Sequence, residues 1–219
     1  MGLDVIPAEV LQRFRVEERR HACAILATDF VDEFSDLMEC LRQFELLRSE
    51  INLPGGRKSR IAERFDQFLA SRGFAEKQTD VAMTVDGKAR QLKTHHVDLC
   101  RSRVAIEVEW NNKDPFFARD LDAFRLLHQL DIISVGVIIT RSDKLQDLFD
   151  RLGWVQDQKG RWQRIKTKYG QSTTHWSKLM PHVEAGAGGA CPLLLIGIGM
   201  GCYRDDIPDI PIVHDDPTV

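Results

Sequence analysis

The chain has 219 residues, of which 43% are hydrophobic and 29% are charged, and its formal net charge is −3. These values are typical of a soluble globular protein with one sizeable core, and the longest apolar runs fall far short of the roughly 20 residues that a membrane-spanning helix needs. The five cysteines are irregularly spaced and form no Cys-x-x-Cys motif, which argues for a reducing compartment and against a disulfide framework or a zinc site. Because no basic leader precedes an apolar run, we expect a cytoplasmic protein without membrane contact.

The first third of the chain is predicted to be helical. A stripe of large apolar side chains indicates an amphipathic helix within residues 17–48. The stripe consists of Phe30, Phe34, Leu37, Leu41 and Phe44. A second helix is predicted over residues 57–71, where a similar apolar pattern precedes Gly73.

The remaining elements alternate between strands and helices. The patterns predict strands at 80–85, 89–100, 103–110, 132–140 and 192–199, and helices at 114–130 and 142–151. Asp114 before Pro115 is typical of a helix start, and Ser142 is the expected cap of the later helix. Residues 153–192 are polar, basic and without clear periodicity, so we expect a long loop there. This order predicts an α/β fold, with a single domain built on a mixed central β-sheet flanked by helices.

The stretch from His95 to Trp110, HHVDLCRSRVAIEVEW, predicts two antiparallel strands with Arg101 and Ser102 as the turn. This register places Asp98 opposite Ala105 and makes Asp98 and Glu107 diagonal neighbours, roughly 7 Å apart. One face of the hairpin would carry Asp98, Ala105, Glu107 and Glu109. The other, apolar face would carry Val97, Leu99, Val104, Ile106 and Val108.

The acids on one face of this hairpin allow two interpretations. They form either a solvent-exposed polar face or a site for a divalent cation, which relieves the repulsion between like charges. Carboxylate oxygens suit Mg²⁺, and a bound metal can activate water for phosphodiester hydrolysis. The residues alone leave both interpretations open.

The hairpin also resembles the PD-(D/E)XK nucleases, in which Asp is followed after a short gap by Glu-x-Lys. Glu109 stands at the lysine position, as an acid or amide does in one branch of restriction enzymes. The resemblance continues through E-x-E-W-N-N-K-D-P-F and S-T-T-H-x-x-K-L, and covers roughly residues 95–198 and, loosely, the helix from residue 57. Over this range the chain resembles BglII/BstYI-type restriction endonucleases, which are relatives of BamHI.

This resemblance implies a restriction-endonuclease-like fold and a homodimeric type II enzyme. Such an enzyme would cut a double-stranded DNA palindrome with a central GATC, such as RGATCY, using Mg²⁺ with Mn²⁺ as a substitute. Asp98, Glu107 and the carbonyl of Val108 would be metal ligands, and Glu109 would orient or deprotonate the attacking water. An additional acid would come from Glu63 or Asp80. A DNA methyltransferase is the expected companion of such an enzyme, although not as a stable partner.

The resemblance divides the single domain, residues 1–219, into three parts. Residues 1–56 form a helical N-terminal part, residues 57–152 the catalytic core, and residues 153–219 the DNA-recognition loop, the last core strand and the tail. A two-fold DNA site requires a two-fold protein. The helix at 114–130 or the one within 17–48 would form the dimer interface, and the sequence does not choose between them.

Two polar groups are candidates for DNA contact. Asn111, Asn112 and Lys113 follow the catalytic strand, and asparagine can pair with adenine while lysine meets phosphate or guanine. The second group lies in the basic stretch and consists of Ser172, Thr173, Thr174, His175 and Lys178, with Lys166 and Lys168 as further phosphate contacts. The structural alternatives are a turn with a helix cap for the first group and a surface loop for the second.

Two other functions remain open at this stage. The same fold would serve a repair or recombination nuclease with little sequence preference, although the length leaves no room for a further domain. The chain would also suit a non-catalytic DNA-binding module whose acidic face performs no chemistry.

Overall fold

A computed structural model describes residues 2–53, 59–93, 96–113, 115–157, 159–170 and 172–217. Within these ranges the strands are β1 (Phe14–Arg19), β2 (Leu46–Leu47), β3 (Ala75–Lys77), β4 (Asp80–Val85), β5 (Lys88–Lys93), β6 (Val97–Arg101), β7 (Val104–Glu109), β8 (Val135–Arg141), β9 (Trp154–Gln156), β10 (Trp162–Arg164), β11 (Leu193–Ile198) and β12 (Tyr203–Arg204). The α-helices are α1 (Ala8–Arg13), α2 (Ala22–Asp29), α3 (Val31–Gln43), α4 (Arg48–Asn52), α5 (Arg60–Ser71), α6 (Pro115–Gln129), α7 (Leu145–Arg151), α8 (Ile165–Lys168) and α9 (Trp176–Glu184). Short 3-10 helices lie at Leu3–Val5 and Met200–Cys202.

The central sheet has six strands in the order β1-β11-β8-β7-β6-β3. Strands β7, β8 and β11 are parallel to one another, whereas β1, β6 and β3 pair antiparallel with their neighbours. The predicted mixed sheet flanked by helices is therefore confirmed. Because parallel strands end at the same edge of a sheet, Glu109, Arg141 and Ile198 all lie at one edge.

The two faces of the sheet support separate cores. On one face, Ile106 and Val108 belong to the larger apolar cluster, which also contains the buried side of α3 and α5. On the other face, Ala105 and Ile138 pack with the buried sides of α6 and α9. Gly136 of β8 permits this second packing, because a Cβ atom there would collide with the ring of Phe124 on α6.

The helix predicted within 17–48 is present as two helices, α2 and α3, whereas the first residues of this range belong to a strand. The stripe that begins at Phe30 lies along α3, but residues 14–19 form strand β1, which pairs antiparallel with β11. Arg20 and His21 adopt left-handed conformations, with φ of 56° and 60°, and so separate β1 from α2. Pairing with a buried strand outweighs the helical pattern at the start of this region, because a sheet edge satisfies the backbone groups of 14–19.

The helix predicted over 142–151 begins later, at Leu145. Ser142 does not cap it: its backbone carbonyl accepts a hydrogen bond from Leu145, and within the described residues its side-chain oxygen has no partner. The predicted loop at 153–192 is also wrong in part, because it contains the β9–β10 hairpin and the helix α9. The buried face of α9 is formed by Trp176, Leu179, Met180 and Val183, a helical spacing interrupted by Pro181.

The other predicted elements are close to those observed, except that the strand predicted at 89–100 is two strands, β5 and β6, in different sheets. Helix α5 begins after Ser59, whose hydroxyl accepts a hydrogen bond from the amide of Ala62. Strands β4 and β5 form the expected hairpin, but as a separate two-stranded sheet. The predicted cap Asp114 lies outside the described residues. All five cysteines are free and buried, and no helix in the described ranges is long and apolar enough to cross a membrane.

Candidate metal centre and DNA-contacting edge

The β6–β7 hairpin turns one residue later than the sequence predicted. Arg101 pairs with Val104, so that the turn is Ser102–Arg103, and the amide of Asp98 donates to Glu107 Oε1 at 3.4 Å. The turn is held by Glu33 of α3, whose Oε1 accepts hydrogen bonds from Arg101 Nε at 3.0 Å and from Ser102 Oγ at 2.7 Å. A tertiary contact therefore holds the turn, and Asp98 and Glu107 lie in contact across the two strands.

The faces of the hairpin otherwise follow the predicted alternation, with one exception. The side chains of Leu99, Val104, Ile106 and Val108 join the larger core as expected. Val97 instead joins the cluster beneath α6, because the pairing of β6 with β3 shifts register between Val97 and Cys100.

The acids of β7 are buried beneath α6 rather than exposed to solvent. Glu107 is 1% exposed, Glu109 is 2% exposed, and Asp120 of α6 is fully buried beside them. Each of the three offers a carboxylate oxygen, and these oxygens lie within 4.8 Å of one another. We call Glu107, Glu109 and Asp120 the acid cluster; Asp98 borders it and is only partly buried.

Asp120 is the member that sequence reasoning missed. It follows Phe117 by three residues and precedes Phe124 by four, so it lies on the stripe of α6 that faces the sheet. An acid on an otherwise apolar helix face is the signal that would have identified it. The proposed additional acids belong elsewhere: Glu63 lies on α5, whose buried side joins the opposite core, and Asp80 is exposed on β4.

The acid cluster has strongly perturbed ionisation. Burial, together with the charges of Asp120, Asp98 and Glu109, raises the pKa of Glu107 far above that of an ordinary carboxyl. Burial and the charge of Asp120 likewise raise the pKa of Glu109, and burial raises that of Asp120. Without a cation, the cluster therefore holds protons that separate carboxylates would release.

Among the described residues, the hydrogen bonds of the acid cluster leave one buried carboxylate oxygen, Asp120 Oδ2, without a donor. Asn112 Nδ2 donates to Glu109 Oε2 at 2.8 Å, and Arg119 donates to Asp120 Oδ1 from Nε and Nη2 at 3.1 and 3.0 Å. The Asp120 and Glu109 carboxyls also interact, which makes a hydrogen bond only when one of them is protonated. Asp120 Oδ2 is buried and finds no N–H or O–H donor among the described residues. A buried carboxylate oxygen without a donor, beside two further carboxylates, is a donor set that fits a hard divalent cation.

The two predicted DNA-contacting groups meet beside this cluster. Lys113 forms an antiparallel bridge with Thr173. The amide of Thr174 donates to the carbonyl of Asn112 at 2.8 Å, and the amide of Asn112 donates to Thr174 Oγ1 at 3.0 Å. The segments 111–113 and 172–174 are thus joined, directly after the strand that carries Glu107 and Glu109.

The members of these groups differ in exposure. Lys113 and Ser172 are exposed, whereas Asn111, Thr173 and Lys178 are partly buried. Thr174 and His175 are buried, with relative exposures of 0% and 9%. In this structure their polar atoms serve the protein: Thr174 binds Asn112, and His175 Nδ1 lies 2.6 Å from the carbonyl of Thr173.

Two lysines of the basic stretch are engaged by the protein. Lys168 Nζ donates to the carbonyl of Ile51 at 2.8 Å and to that of Leu53, at the end of α4. Burial lowers the pKa of Lys168 to about 8. Lys166 Nζ forms a salt bridge with Asp150 Oδ1 at 2.8 Å. In this conformation the two lysines serve protein contacts in place of the predicted phosphate contacts.

The mixed sheet, its parallel strand ends and the buried acids on β7 define a protein of the restriction-endonuclease-like class. The model of the family "Restriction endonuclease BglII/BglIII" matches residues 14–198. The chain therefore belongs to this family of restriction endonucleases. No curated protein matches the chain closely enough to serve as a named relative.

Proposed function

We propose that this protein is a type II restriction endonuclease that cuts both strands of a palindromic DNA site with a central GATC, such as RGATCY. One observation carries the proposal beyond family membership: the acid cluster lies on the same strand end as the joined segments 111–113 and 172–174. DNA cleavage and recognition of the DNA sequence would then take place at the same edge of the sheet.

The metal would be Mg²⁺, with Mn²⁺ as a substitute. Asp98, Glu107 and the carbonyl of Val108 are the proposed ligands, and Asp120 Oδ2 is a further oxygen available beside them. When bound, the ion supplies an activated water and stabilises charge on the phosphate. The side chain of Val108 is buried in the larger core, which fixes the backbone between the two glutamates.

The protein residues have separate proposed tasks during cleavage. Glu109 would orient the attacking water or accept its proton, and Asn112 Nδ2 holds the Glu109 carboxylate in one orientation. Attack forms a new P–O bond while the bond from phosphorus to the 3′ oxygen breaks. The products are a 5′-phosphate and a 3′-hydroxyl that gains a proton.

DNA would approach the exposed side of the joined segments. Lys113 and Lys178 would meet phosphates or guanine, and Asn111, Asn112, Ser172 and Thr173 would approach base edges. Thr174 and His175 were predicted to contact DNA directly, but their burial favours supporting the segment that does. Asn111 adopts a left-handed backbone with φ of 61°, and its Oδ1 is buried without a partner among the described residues, so this oxygen would reach a base only after the side chain turns outward.

A palindromic site suits a homodimer, with α6 or α3 at the two-fold interface. We also propose that the enzyme works in the cytoplasm, where a companion methyltransferase protects host DNA. Analytical ultracentrifugation of the protein, alone and with a duplex containing RGATCY, tests the dimer. A species with one chain per duplex would contradict it.

Digestion of phage DNA in the presence of excess Mg²⁺ tests the function. Discrete bands that map to one palindrome support the proposal, and sequencing the fragment ends gives the site and the position of the cut. A smear would favour a repair or recombination nuclease, and a gel shift without cleavage would favour a non-catalytic DNA-binding module. Either result would overturn the proposal.

A further inference from the structure

We propose that Arg141 is a positioning residue that ties Gly170 and residues 172–175 to the end of the catalytic strand and, through Asn112, sets the orientation of Glu109. This inference rests on the proposed function, because it assigns residues 172–175 to DNA recognition and Glu109 to cleavage. It adds a residue outside both the acid cluster and the predicted DNA contacts.

Arg141 is the last residue of β8 and is 1% exposed. Its Nε donates to the carbonyl of Thr174 at 3.2 Å, and its Nη2 donates to the carbonyl of Gly170 at 2.9 Å and to Thr173 Oγ1 at 3.0 Å. Among the described residues, no carboxylate forms a salt bridge with it. The Nε and Nη2 donors of this guanidinium are therefore directed at Gly170, Thr173 and Thr174.

The anchored segment continues to Glu109 through hydrogen bonds. Thr174 exchanges two hydrogen bonds with the backbone of Asn112, whose side chain then holds Glu109 Oε2 at 2.8 Å. Thr140, next to Arg141, donates from Oγ1 to the carbonyl of Glu109 at 2.9 Å. Thr140 thus contacts Glu109 directly, and Arg141 is connected to Glu109 through Thr174 and Asn112.

The chemistry of Arg141 favours a geometric role over a purely stabilising one. Burying a cation without a carboxylate is costly, and an apolar residue of similar size avoids that cost. A planar guanidinium, however, fixes the direction of several acceptors at once, which neither an apolar side chain nor lysine does. Arg141 is suited to define where Gly170 and residues 172–175 lie relative to Glu109.

This arrangement gives a physical route from sequence reading to cleavage. Ser172 and Thr173 would contact DNA, and they lie on the segment whose carbonyls Arg141 holds. A DNA sequence that displaces this segment would shift Asn112 and, with it, the Glu109 carboxylate. Misplacement of a catalytic group by about 1 Å can reduce the rate on the order of 10²-fold.

Hydrogen exchange tests the connection without DNA. In Arg141→Met we expect amides in 110–113 and 172–176 to exchange at least about tenfold faster than in wild type, because local opening becomes easier. Arg161→Met is the matched control, since Arg161 is exposed and pairs with Asp157 in the β9–β10 hairpin. Unchanged exchange in both segments of folded Arg141→Met would overturn the inference.

Single-turnover cleavage of phage DNA tests the consequence for catalysis. We expect Arg141→Lys to lower the rate at saturating enzyme on the order of 10²-fold, with much less change in affinity for the same DNA without metal. Thr174→Val removes one link while keeping the side-chain volume, and should act in the same direction if Arg141→Met does not fold. A loss of thermal stability in Arg141→Lys and Thr174→Val with an unchanged cleavage rate would also overturn the inference.

The two proposals fail separately. If wild type does not cut DNA, the proposed function fails, and hydrogen exchange still decides whether Arg141 ties the two segments together. If wild type cuts at discrete sites and the exchange of Arg141→Met is unchanged, only the role of Arg141 is lost.

Discussion

Adjacent strands of the sheet bury opposite charges in contrasting ways. At the end of β7, Glu107 and Glu109 are packed against a third acid, Asp120. At the end of β8, Arg141 is equally buried, but its N–H groups meet carbonyl and hydroxyl oxygens of one segment. The two sites are neighbours, since Glu109 lies beside Thr140 in the parallel register.

This difference distinguishes the acid cluster, which is suited to bind a cation, from the Arg141 site, which stabilises the structure around it. A buried cation surrounded by oriented dipoles has its hydrogen bonds satisfied and holds its surroundings in place. Like charges that face one another remain unfavourable until a proton or a cation joins them. Lys168 is similar to Arg141, because its amine also donates to backbone carbonyls, in this case at the end of α4.

The largest expected effect is at Glu107. We expect Glu107→Gln to reduce DNA cleavage by roughly 10³-fold, because a metal supplies several kcal/mol of charge stabilisation. Burial raises the pKa of Glu107, so folding of the metal-free protein at neutral pH requires this carboxyl to take up a proton. Glutamine requires none, so Glu107→Gln should have a higher melting temperature than wild type, whereas Arg141→Met should have a lower one. Asp98→Asn should likewise abolish cleavage while DNA binding is retained.

Single-turnover assays and thermal melts in EDTA measure both effects of Glu107→Gln. Asp122→Asn is the control, since Asp122 is an exposed acid on the same helix as Asp120. Wild-type cleavage by both Glu107→Gln and Asp98→Asn would show that the acid cluster is not the catalytic centre.

A smaller effect is expected at Asp120, which interacts with Glu109 and receives the hydrogen bonds of Arg119. We expect Asp120→Asn to lower the cleavage rate by about 10–100-fold, as for residues that orient a metal ligand. Titration with Mn²⁺ should show a weaker apparent metal affinity for this variant than for Asp122→Asn. Equal metal dependence in the two variants would remove Asp120 from the site.

The link between the two charged sites can be weakened at Thr140. Thr140→Val removes the hydrogen bond to the Glu109 carbonyl and keeps the side-chain volume, so we expect a loss of about 1 kcal/mol in the free energy of unfolding. Cleavage should fall only a few-fold, since Asn112 still holds the Glu109 side chain. Urea denaturation measures the first effect, with Thr140→Ser as the control that retains the hydroxyl.

The smallest effect on DNA is expected at Lys168. Its amine is turned toward α4, so Lys168→Met should leave DNA affinity and its salt dependence unchanged, unlike Lys113→Met. Its pKa is lowered by burial from 10.5 to about 8. The unfolded chain therefore binds more protons than the folded protein between these values, and the stability of wild type relative to Lys168→Met should rise with pH across that range.

Urea melts of wild type and Lys168→Met at several pH values within that range measure this trend. A parallel pH dependence of the two proteins would show that Lys168 is not the group responsible. A reduced salt slope of DNA binding in Lys168→Met would place the lysine on the DNA after all.

Local patterns predicted much of the fold. Long apolar runs and period-3.6 stripes identified β8, β11, α5 and α6, because burial on both faces or along one stripe leaves a direct trace in sequence. They failed at β1, where pairing with β11 overrides helix propensity, and at α9, where Pro181 interrupts an otherwise helical stripe. The hairpin turn was displaced by one residue because Glu33, distant in sequence, binds Arg101 and Ser102.

The sequence alone determined the class of site: closely spaced acids on alternating strand positions, followed by asparagines and lysine, with a family resemblance across both polar groups. Only the tertiary structure decided that Asp120 joins the acids, that the hairpin turns at Ser102–Arg103, and that 111–113 is joined to 172–174 beside Arg141. The physical reason is that a sequence pattern reports only on residues that are close together in the chain. Periodicity records which face of an element is buried, whereas register and helix placement depend on contacts between residues far apart in the chain, which no local pattern contains.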